Sequence, residues 1–316
     1  MLLFALIAGA CDSSRPAAGT APSSIVSASA LKVGAPTTLR VPAMDMLSAF
    51  GSIWVSQPDR VSRLDPATGR VTATVPVPGT SDFRNLAAGA GAIWVDDSGT
   101  ETLTRIDAAR NRATATIPMR AHLFVVDGLA FVDGQLWVVR PVPNDEAQGD
   151  VVSIDPATNQ IAQRALIPRT FDVMSSGTHA LWYVRGTNLL RFDTTTLRTT
   201  IVRQHVNMML AASDQRLWLL TPSGVIEADE HTGKQIEPPI AVKGTVNLAV
   251  AVGPSAVWLA SQPDSSSGGN VTPYDLATHR PLAAPTPIGF PIITMTALAT
   301  SVWIDADGIT RIPYAP

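Results

Sequence analysis

The sequence is poor in three kinds of residue, and each scarcity excludes a class of protein. One cysteine among 316 residues excludes a disulfide within the chain. Lysine and glutamate, the usual residues of exposed helix faces, together number only eight, which argues against a mainly helical protein. The 23 basic and 26 acidic residues give a net charge of -3 without any basic cluster, so no nucleic-acid partner is expected.

The abundant residues predict an all-β protein. Val, Thr and Ile are frequent, and 25 prolines and 22 glycines interrupt them at short intervals. This is the composition of many short strands that are joined by tight turns.

Seven tryptophans divide the chain into repeats. They lie 36 to 45 residues apart, and each stands in an apolar triplet such as Ile-Trp-Val. A second element, typified by RLDPATGR at 63–70, has its Asp 11 to 18 residues after each of the first six tryptophans. A period near 40 residues with four short strands is typical of a β-propeller blade. The tryptophans are Trp54, Trp94, Trp137, Trp182, Trp218, Trp258 and Trp303.

Two further features indicate a closed seven-bladed ring. The position seven residues before each tryptophan is mostly small, as crowded inner strands require: Leu47, Ala87, Ala130, Ser175, Ala211, Ala251 and Thr296. The last repeat ends after its third strand, at 308–314, while an unpaired segment, 31–42, precedes the first repeat. We therefore predict that 31–42 forms the outer strand of the last blade, which removes an open join between the first and last blades.

The repeats carry a family resemblance that covers about residues 31–316. Units such as the one at 53–79 resemble the YVTN-type propeller repeat and the repeats of the streptogramin (virginiamycin B) lyase group. The lyase resemblance implies opening of a cyclic ester with a divalent metal that histidine and glutamate hold near the axis. No glutamate lies in a segment that enters an inner strand and the E-x-H spacing is absent, although Asp45, Asp127 or Asp172 could serve as a base or metal ligand.

The N-terminus resembles that of a bacterial lipoprotein. Residues 1–10 are an apolar signal-like run that ends on small residues before Cys11, which would be lipidated. Residues 11–30 are rich in Ser, Ala and Pro and read as a flexible tether. The prediction is an exported, membrane-anchored protein of the cell envelope; the alternative is a buried N-terminal strand with an incidental thiol.

Candidate binding residues gather in the connections between blades, which surround the axial mouth of a propeller. Five connections each carry a cation, and a positive potential there would suit an anionic ligand or an acidic peptide. The alternative is that these cations form ion pairs with nearby carboxylates, including Asp82. The candidates are Arg84, Arg120, His122, Asp127, Arg169, Asp172, Arg203, His205 and Lys243.

The recurrent Asp-Pro-Ala-Thr-Gly element and the tryptophans are interpreted as structural, and His179, His231 and His279 as exposed turn residues at the opposite end.

The leading function is a monomeric platform that binds a protein, peptide or glycan without a cofactor. The alternatives are a metal-dependent lyase and an extracytoplasmic sensor module.

Overall fold

A computed structural model describes residues 31–79, 84–97, 99–119, 128–142, 145–168, 175–213, 215–242, 247–262, 268–289, 292–306 and 308–315. These residues form 28 β-strands and no helix. In the described ranges, accordingly, no helix is long and apolar enough to cross a membrane.

The strands form seven antiparallel sheets, the blades of a propeller, in which neighbours in sequence are neighbours in the sheet except for the first two strands. The chain opens with β1 (Lys32–Val33) and β2 (Thr37–Leu39). Blade 1 contains β3 (Asp45–Ala49), β4 (Ser52–Gln57), β5 (Arg60–Leu64) and β6 (Val71–Pro76). Blade 2 contains β7 (Leu86–Gly89), β8 (Ala92–Asp97), β9 (Thr102–Asp107) and β10 (Arg112–Pro118). Blade 3 contains β11 (Gly128–Val132), β12 (Gln135–Val142), β13 (Asp145–Asp155) and β14 (Gln160–Pro168).

The remaining blades repeat this order with two departures. Blade 4 contains β15 (Ser175–Gly177), β16 (Ala180–Arg185), β17 (Asn188–Asp193) and β18 (Arg198–Gln204). Blade 5 contains β19 (Met208–Ser213), β20 (Arg216–Thr221) and β21 (Gly224–Asp229). Blade 6 contains β22 (Asn247–Val252), β23 (Ala256–Gln262), β24 (Gly269–Asp275) and β25 (Thr286–Ile288). Blade 7 contains β26 (Ile292–Ala297), β27 (Ser301–Ala306) and β28 (Ile309–Ala315).

The predicted ring closure is confirmed. β1 and β2 both pair with β28, so the N-terminal segment completes blade 7 from outside. Lys32 lies opposite Ala315 and Leu39 lies opposite Ile309, so the segment runs the full length of β28. We call the end at which the inner strands begin the upper end, and the other the lower end. The chain therefore joins the ring at the lower end and climbs to the upper end before blade 1 begins.

The hydrophobic core is divided into seven clusters, each shared by two neighbouring blades. Every cluster contains one tryptophan of the repeat, and all seven indoles are at most 1% exposed. Burying one indole at about 25 cal/mol per Å² over roughly 200 Å² stabilises the fold by about 5 kcal/mol, as an upper bound. The tryptophans are therefore structural, as predicted.

The small residues of the inner strands have a more specific role than axial crowding. Each one lies directly opposite a tryptophan in the register of the first two strands, as Ala87 does opposite Trp94. Directly opposed residues of an antiparallel pair point to the same face. Where this residue is small, as Ala87 is, it leaves room for the indole between the blades. The other pairs are Leu47 and Trp54, Ala130 and Trp137, Ser175 and Trp182, Ala211 and Trp218, Ala251 and Trp258, and Thr296 and Trp303.

The Asp-Pro-Ala-Thr-Gly elements are capped turns at the lower end. Asp65 Oδ1 accepts hydrogen bonds from the Thr68 amide at 2.7 Å and from the Thr68 hydroxyl at 2.7 Å. These bonds hold the pKa of Asp65 below its usual range. Gly69 follows with a φ of 74°, in the region that favours glycine. The element is therefore local turn chemistry, as predicted.

Arginines on third strands connect these turns to the preceding blade. The Arg63 guanidinium lies 5.2 Å from the Trp54 ring centroid and donates to the Ala108 carbonyl at 3.0 Å in the next blade's turn. Equivalent bonds join Arg105 to Pro156 and Arg311 to Pro66. Adjacent blades thus contact each other both in the core and at the lower end.

Blade 5 departs from the predicted four strands. The segment after β21 meets it only through isolated bridges, Val225 to Ile240 and Ala228 to Gln235. Pro238 and Pro239 lie between these bridges, and proline has no amide proton for a strand ladder. The outer edge of this blade is therefore an interrupted strand.

Deletion of residues 31–42 should destabilise the ring, because β28 loses its outer partners and the buried Leu31 is removed from the cluster between blades 6 and 7. We expect the melting temperature to fall by roughly 10 °C, as for a loss of about 3 to 5 kcal/mol. Deletion of residues 12–30 is the control and should leave it unchanged. Differential scanning calorimetry measures both, and equal melting temperatures for the two deletions would refute this closure.

Candidate functional site

Arg84, the first candidate of the predicted cation ring, is buried rather than exposed at the mouth. Its side chain has 0% exposure and its Nη2 lies 2.5 Å from Asp97 Oδ2. Nη1 donates to the Val77 carbonyl at 3.0 Å. Burial works to raise the pKa of Asp97, but bonds from Thr100 and Arg84 outweigh it and lower that pKa. Asp97 therefore neutralises the Arg84 charge, and the Arg84 side chain is part of the packed upper end.

Arg203 and His205 lie at the end of the outer strand of blade 4. Arg203 is within β18, and its Nη1 donates to the Gly233 carbonyl at 2.7 Å, in the lower turn of blade 5. His205 follows the strand, is exposed and has a φ of 58°. Arg203 thus contacts the next blade, as the arginines of the third strands do.

The other predicted site residues lie outside the described residues, so their place in the ring is not part of this structure. They are Cys11, Arg120, His122, Asp127, Arg169, Asp172 and Lys243; Asp82, considered as an ion-pair partner, lies outside the described residues as well.

A different group of polar residues is present at the upper end. The residue two places after each tryptophan is polar in blades 7, 1 and 2 and apolar in blades 3 to 6, where it is Val139, Val184, Leu220 and Ala260. In the three polar blades its neighbour on the inner strand is polar as well. We call these six residues the mouth sector: Thr294 and Asp305 of blade 7, Asp45 and Ser56 of blade 1, and Asn85 and Asp96 of blade 2.

In blade 1 the mouth sector binds the backbone of the next blade. Asp45 Oδ2 accepts the Leu86 amide at 2.7 Å, and Oδ1 accepts the adjacent Met46 amide at 2.7 Å. The Ser56 hydroxyl donates to the Arg84 carbonyl at 2.9 Å. The sequence offers Asp45 as a base or metal ligand, whereas in the structure both of its carboxylate oxygens accept backbone amides.

In blade 2 the partners come from a single asparagine. Asp96 Oδ1 accepts the Asn85 amide at 2.5 Å and Oδ2 accepts the Asn85 side-chain amide at 2.8 Å. Burial nevertheless raises the pKa of Asp96 to about 7. Burial also raises the pKa of Asp45, with smaller contributions from the carboxylates of Asp96 and Asp305. Asp45 is thus close enough to both other acids for their charges to raise its pKa.

In blade 7 the mouth sector has no such partners. Asp305 and Thr294 face each other across β26 and β27, and both are at least 97% buried. Among the residues that the structure describes, Asp305 Oδ2 and Thr294 Oγ1 have no hydrogen-bond partner. Burial raises the pKa of Asp305 to about 6.

The described ranges hold no group of three or more His, Cys, Asp or Glu side chains that could bind a metal ion. What the mouth sector offers is buried carboxyl groups, and burial raises the pKa of Asp96 to about 7 and that of Asp305 to about 6. Such groups can bind hydrogen-bond donors or act as a general acid or base. The sequence already shows polar residues two places after the tryptophans of blades 7, 1 and 2. These residues form one group only because ring closure makes blades 7 and 1 neighbours.

One of the three turn histidines at the lower end, His279, is not exposed as predicted. His279 is buried, with Nε2 3.1 Å from Glu227 Oε2 and Nδ1 2.9 Å from the Pro238 carbonyl. Both ring nitrogens therefore face acceptors, which the doubly protonated imidazolium satisfies. Burial works to lower the pKa of His279, but the bonds to Glu227 and Pro238 prevail and raise it. This pair joins the interrupted edge of blade 5 to blade 6.

The other two histidines of the turns fit the prediction. His179 is largely exposed and its Nδ1 lies 2.5 Å from Asp133 Oδ1. His231 is exposed in the turn that Asp229 caps, where its amide donates to Asp229 Oδ1 at 3.2 Å. Only His279 has its imidazole buried among the three.

Fold and mouth define the class of this chain: it is a seven-bladed β-propeller protein whose inner strands are polar on one side of the upper end. No protein-family model matches the sequence, and no curated protein matches it. Solved structures share the fold at low sequence identity. The virginiamycin B lyase of Staphylococcus aureus matches with a TM-score of 0.65 and 13% identity over 90% of this chain and 99% of that chain.

Two other structures have the same kind of likeness. U3-55K matches with a TM-score of 0.64 and 13% identity, over 88% of this chain and 98% of that chain. BamB from Moraxella catarrhalis matches with a TM-score of 0.54 and 10% identity, over 90% of this chain and 100% of that chain. These likenesses confirm the predicted fold. At such identities they carry no activity over to this chain.

Stability should depend on the charge of His279. Because its pKa is raised on folding, the charged form contributes stability below the unfolded pKa of about 6.5, and this contribution is lost as pH rises through the folded pKa. We expect His279→Gln to lower the melting temperature most near pH 6 and progressively less at higher pH. His205→Gln is the matched control, an exposed histidine with the same left-handed backbone. Thermal unfolding across pH 5.5 to 9 measures both; a pH-independent difference for His279→Gln would contradict the imidazolium assignment.

Proposed function

We propose that this protein is a binding platform of the cell envelope, which captures a partner protein at its upper end. One observation carries this proposal: in a ring of equivalent blades, polar residues replace apolar ones only on three adjacent blades at the mouth. Equivalent positions of a repeat meet the same packing demands, so an apolar residue serves in each of the other four blades. Polar residues that occur on only one side of a repeat ring, although burying their carboxylates costs free energy, are typical of a recognition site.

The framework suits this role because it is rigid at the site. The inner strands contact their neighbours in a closed ring, and every blade boundary contains a buried cluster. A partner that binds such a surface does not have to order it, so less of the interaction free energy is lost. A protein partner, rather than a peptide or glycan, is the proposal, and the crosslinking experiment below tests this choice.

The position of the N-terminal segment supports an anchored platform. The tether that the sequence predicts, 11–30, precedes Leu31, and β1 then pairs with the lower end of β28. A flexible chain of this length spans about 25 Å on average. An anchor at Cys11 would therefore hold the lower end near the membrane and leave the upper end free for a partner.

A lyase is the second candidate, and one observation favours it. Asp96 lies beside the mouth with its pKa raised by burial to about 7, as a general base at neutral pH requires. The structural likeness to virginiamycin B lyase is one of fold alone. An enzyme that acts on a small molecule need not hold a protein at its mouth, and the crosslinking experiment below separates the two.

A photo-crosslinking amino acid should capture the partner from the upper end only. Asp59 is exposed in the upper turn between β4 and β5, and Ala109 is exposed in the lower turn between β9 and β10. We expect irradiation of intact cells to give one defined protein adduct from position 59 and none from position 109, read by mass spectrometry. Equal adducts at both positions, or an adduct at position 109 alone, would contradict the platform.

The anchor is tested at the thiol. Cys11→Ser removes the only group that can be lipidated. We expect the protein to move from the membrane fraction to the soluble fraction, while its melting temperature stays the same because the sequence predicts that the cysteine precedes the propeller. Undiminished membrane retention of the variant would rule out the lipid anchor.

A further inference from the structure

The exposed charges of the ring are unevenly divided between its two ends. In the described residues of the lower end eight cations are exposed, whereas the one exposed carboxylate there, Asp133, lies 2.5 Å from His179 Nδ1. The chain as a whole has a net charge of -3, so a concentration of cations at one end is not a consequence of composition. The eight cations are Lys32, Arg70, Arg110, Arg112, Arg198, Arg216, Lys234 and Arg280.

Five of these cations occupy the same place in the repeat. Each follows a capped turn directly, at the point where the chain turns toward the outer edge of its blade; in blade 3 this position is Gln160. The aspartates of the same turns are partly buried caps: Asp107 Oδ1, for example, accepts the Ala109 amide at 3.0 Å and the Arg110 amide at 2.8 Å. The cations are therefore the charges that these turns expose to solvent. The five are Arg70, Arg112, Arg198, Lys234 and Arg280.

Most of the eight cations have no ion-pair partner in the part of the chain that the structure describes. Arg110 lies 2.6 Å from Asp107, and Arg216 lies 3.4 Å from Glu227. The other six form no ion pair with a described carboxylate. A rigid ring holds these like charges side by side, so their fields add in front of the lower end.

An exposed aromatic side chain lies inside this set of cations, nearer the axis. Phe50 is 39% exposed, and no other aromatic residue in the described ranges is exposed. With Gly51 it forms the turn between β3 and β4, at a φ of 50°. This left-handed conformation suits Asn, Asp or Gly and is strained for a bulky side chain. Because Phe50 belongs to none of the seven core clusters, we look for its contact outside the chain.

The arrangement of these groups selects a lipid surface as the partner. The cations are distributed over six of the seven blades and do not line a single groove. Such an array is complementary to a plane of anionic headgroups, at whose depth an aromatic side chain is stable. The chain also enters the ring at this end, where Lys32 pairs with Ala315 and the predicted tether precedes it.

We propose that the lower end of the propeller docks on the anionic headgroups of the membrane, with its exposed cations against the phosphates and Phe50 inserted between the headgroups. The proposal rests on the anchored platform proposed above and gives it an orientation. A flexible tether alone leaves the ring free to rotate, whereas this contact directs the upper end away from the membrane. The predicted cation ring placed an anionic ligand at the upper end; the described cations place an anionic surface at the lower end.

The test uses the full chain with Cys11→Ser, which cannot be lipidated, and its cosedimentation with lipid vesicles. We expect saturable binding to vesicles of phosphatidylcholine with one-third phosphatidylglycerol, and weaker binding as the salt concentration rises. Vesicles of phosphatidylcholine alone should retain little protein. They also measure any contribution of the apolar residues 1–10, which every variant carries.

Neutralising three cations of the lower end should weaken binding to the anionic vesicles about a hundredfold, because each basic residue near such a surface contributes about fivefold. The variant is Arg70→Gln, Arg112→Gln and Arg198→Gln, at exposed positions without a described ion pair. Its melting temperature should stay close to that of the parent, as for other exposed substitutions.

The matched control removes the same charge from the upper end. Arg40, Arg60 and Arg185 are exposed there, after β2, in the turn between β4 and β5, and at the end of β16. Their joint replacement by glutamine should leave vesicle binding as in the parent. Equal vesicle binding by the two triple variants would overturn the proposal.

Phe50→Asn tests the aromatic contact separately. Asparagine suits the left-handed backbone at this turn, so the variant should melt no lower than the parent. We expect its binding to anionic vesicles to weaken about fivefold, because the inserted ring is lost. Weaker binding by a protein of unchanged stability cannot be ascribed to unfolding. Unchanged vesicle binding would show that Phe50 does not contact the lipid and would refute its role.

The remaining outcomes are equally decisive. Equal retention on neutral and anionic vesicles would overturn the proposal, and so would tighter binding to a DNA duplex than to anionic vesicles, which indicates a general polyanion surface. A high-salt wash removes protein held by charge alone, so the fractionation of Cys11→Ser still reports on the lipid anchor. Because the vesicles contain no partner protein, failure here leaves crosslinking at position 59 to decide on the platform. Vesicle binding without crosslinking would retain the membrane contact and remove the platform.

Discussion

The packing of one tryptophan against a smaller residue of the inner strand and against the next blade is the interaction on which the rest of this structure depends. Each indole lies in a cluster that two blades share, so no blade completes its own core. Stability is consequently a property of the closed ring, as in other repeat architectures. The use of the N-terminal strands to complete blade 7 follows from the same need.

Because the packing demand is the same at every boundary, departures from the repeat are informative. The arginine that joins Trp54 to the next turn is a glutamate, Glu227, in blade 5, and the next turn there supplies His279. A permanent charge is thereby replaced by a titratable pair beside the interrupted outer edge of that blade. At the upper end the departure is the mouth sector, where carboxylates occupy positions that are apolar in four blades.

The two departures have opposite energetic consequences. The pair of Glu227 and His279 satisfies both partners and stabilises its boundary when the imidazole is charged. Asp305 Oδ2 and Thr294 Oγ1 are buried and have no hydrogen-bond partner within the described part of the chain, which costs stability in the isolated protein. The seven buried clusters supply the stability that tolerates this cost.

The sequence by itself determined the all-β class, the count and phase of the blades, the role of 31–42 in closure and the structural role of the Asp-capped turns. These properties are periodic or local, and a pattern of residues along the chain contains them. Only the tertiary structure determined which charged side chains are buried and which groups they contact. Arg84 is in a connection by sequence, yet it is buried against Asp97, because connections fold over the ends of neighbouring strands. Asp305 and Asp45 are 260 residues apart and become neighbours only when blade 7 meets blade 1. Whether a carboxylate finds a donor is decided by such contacts across the chain, which no local pattern contains.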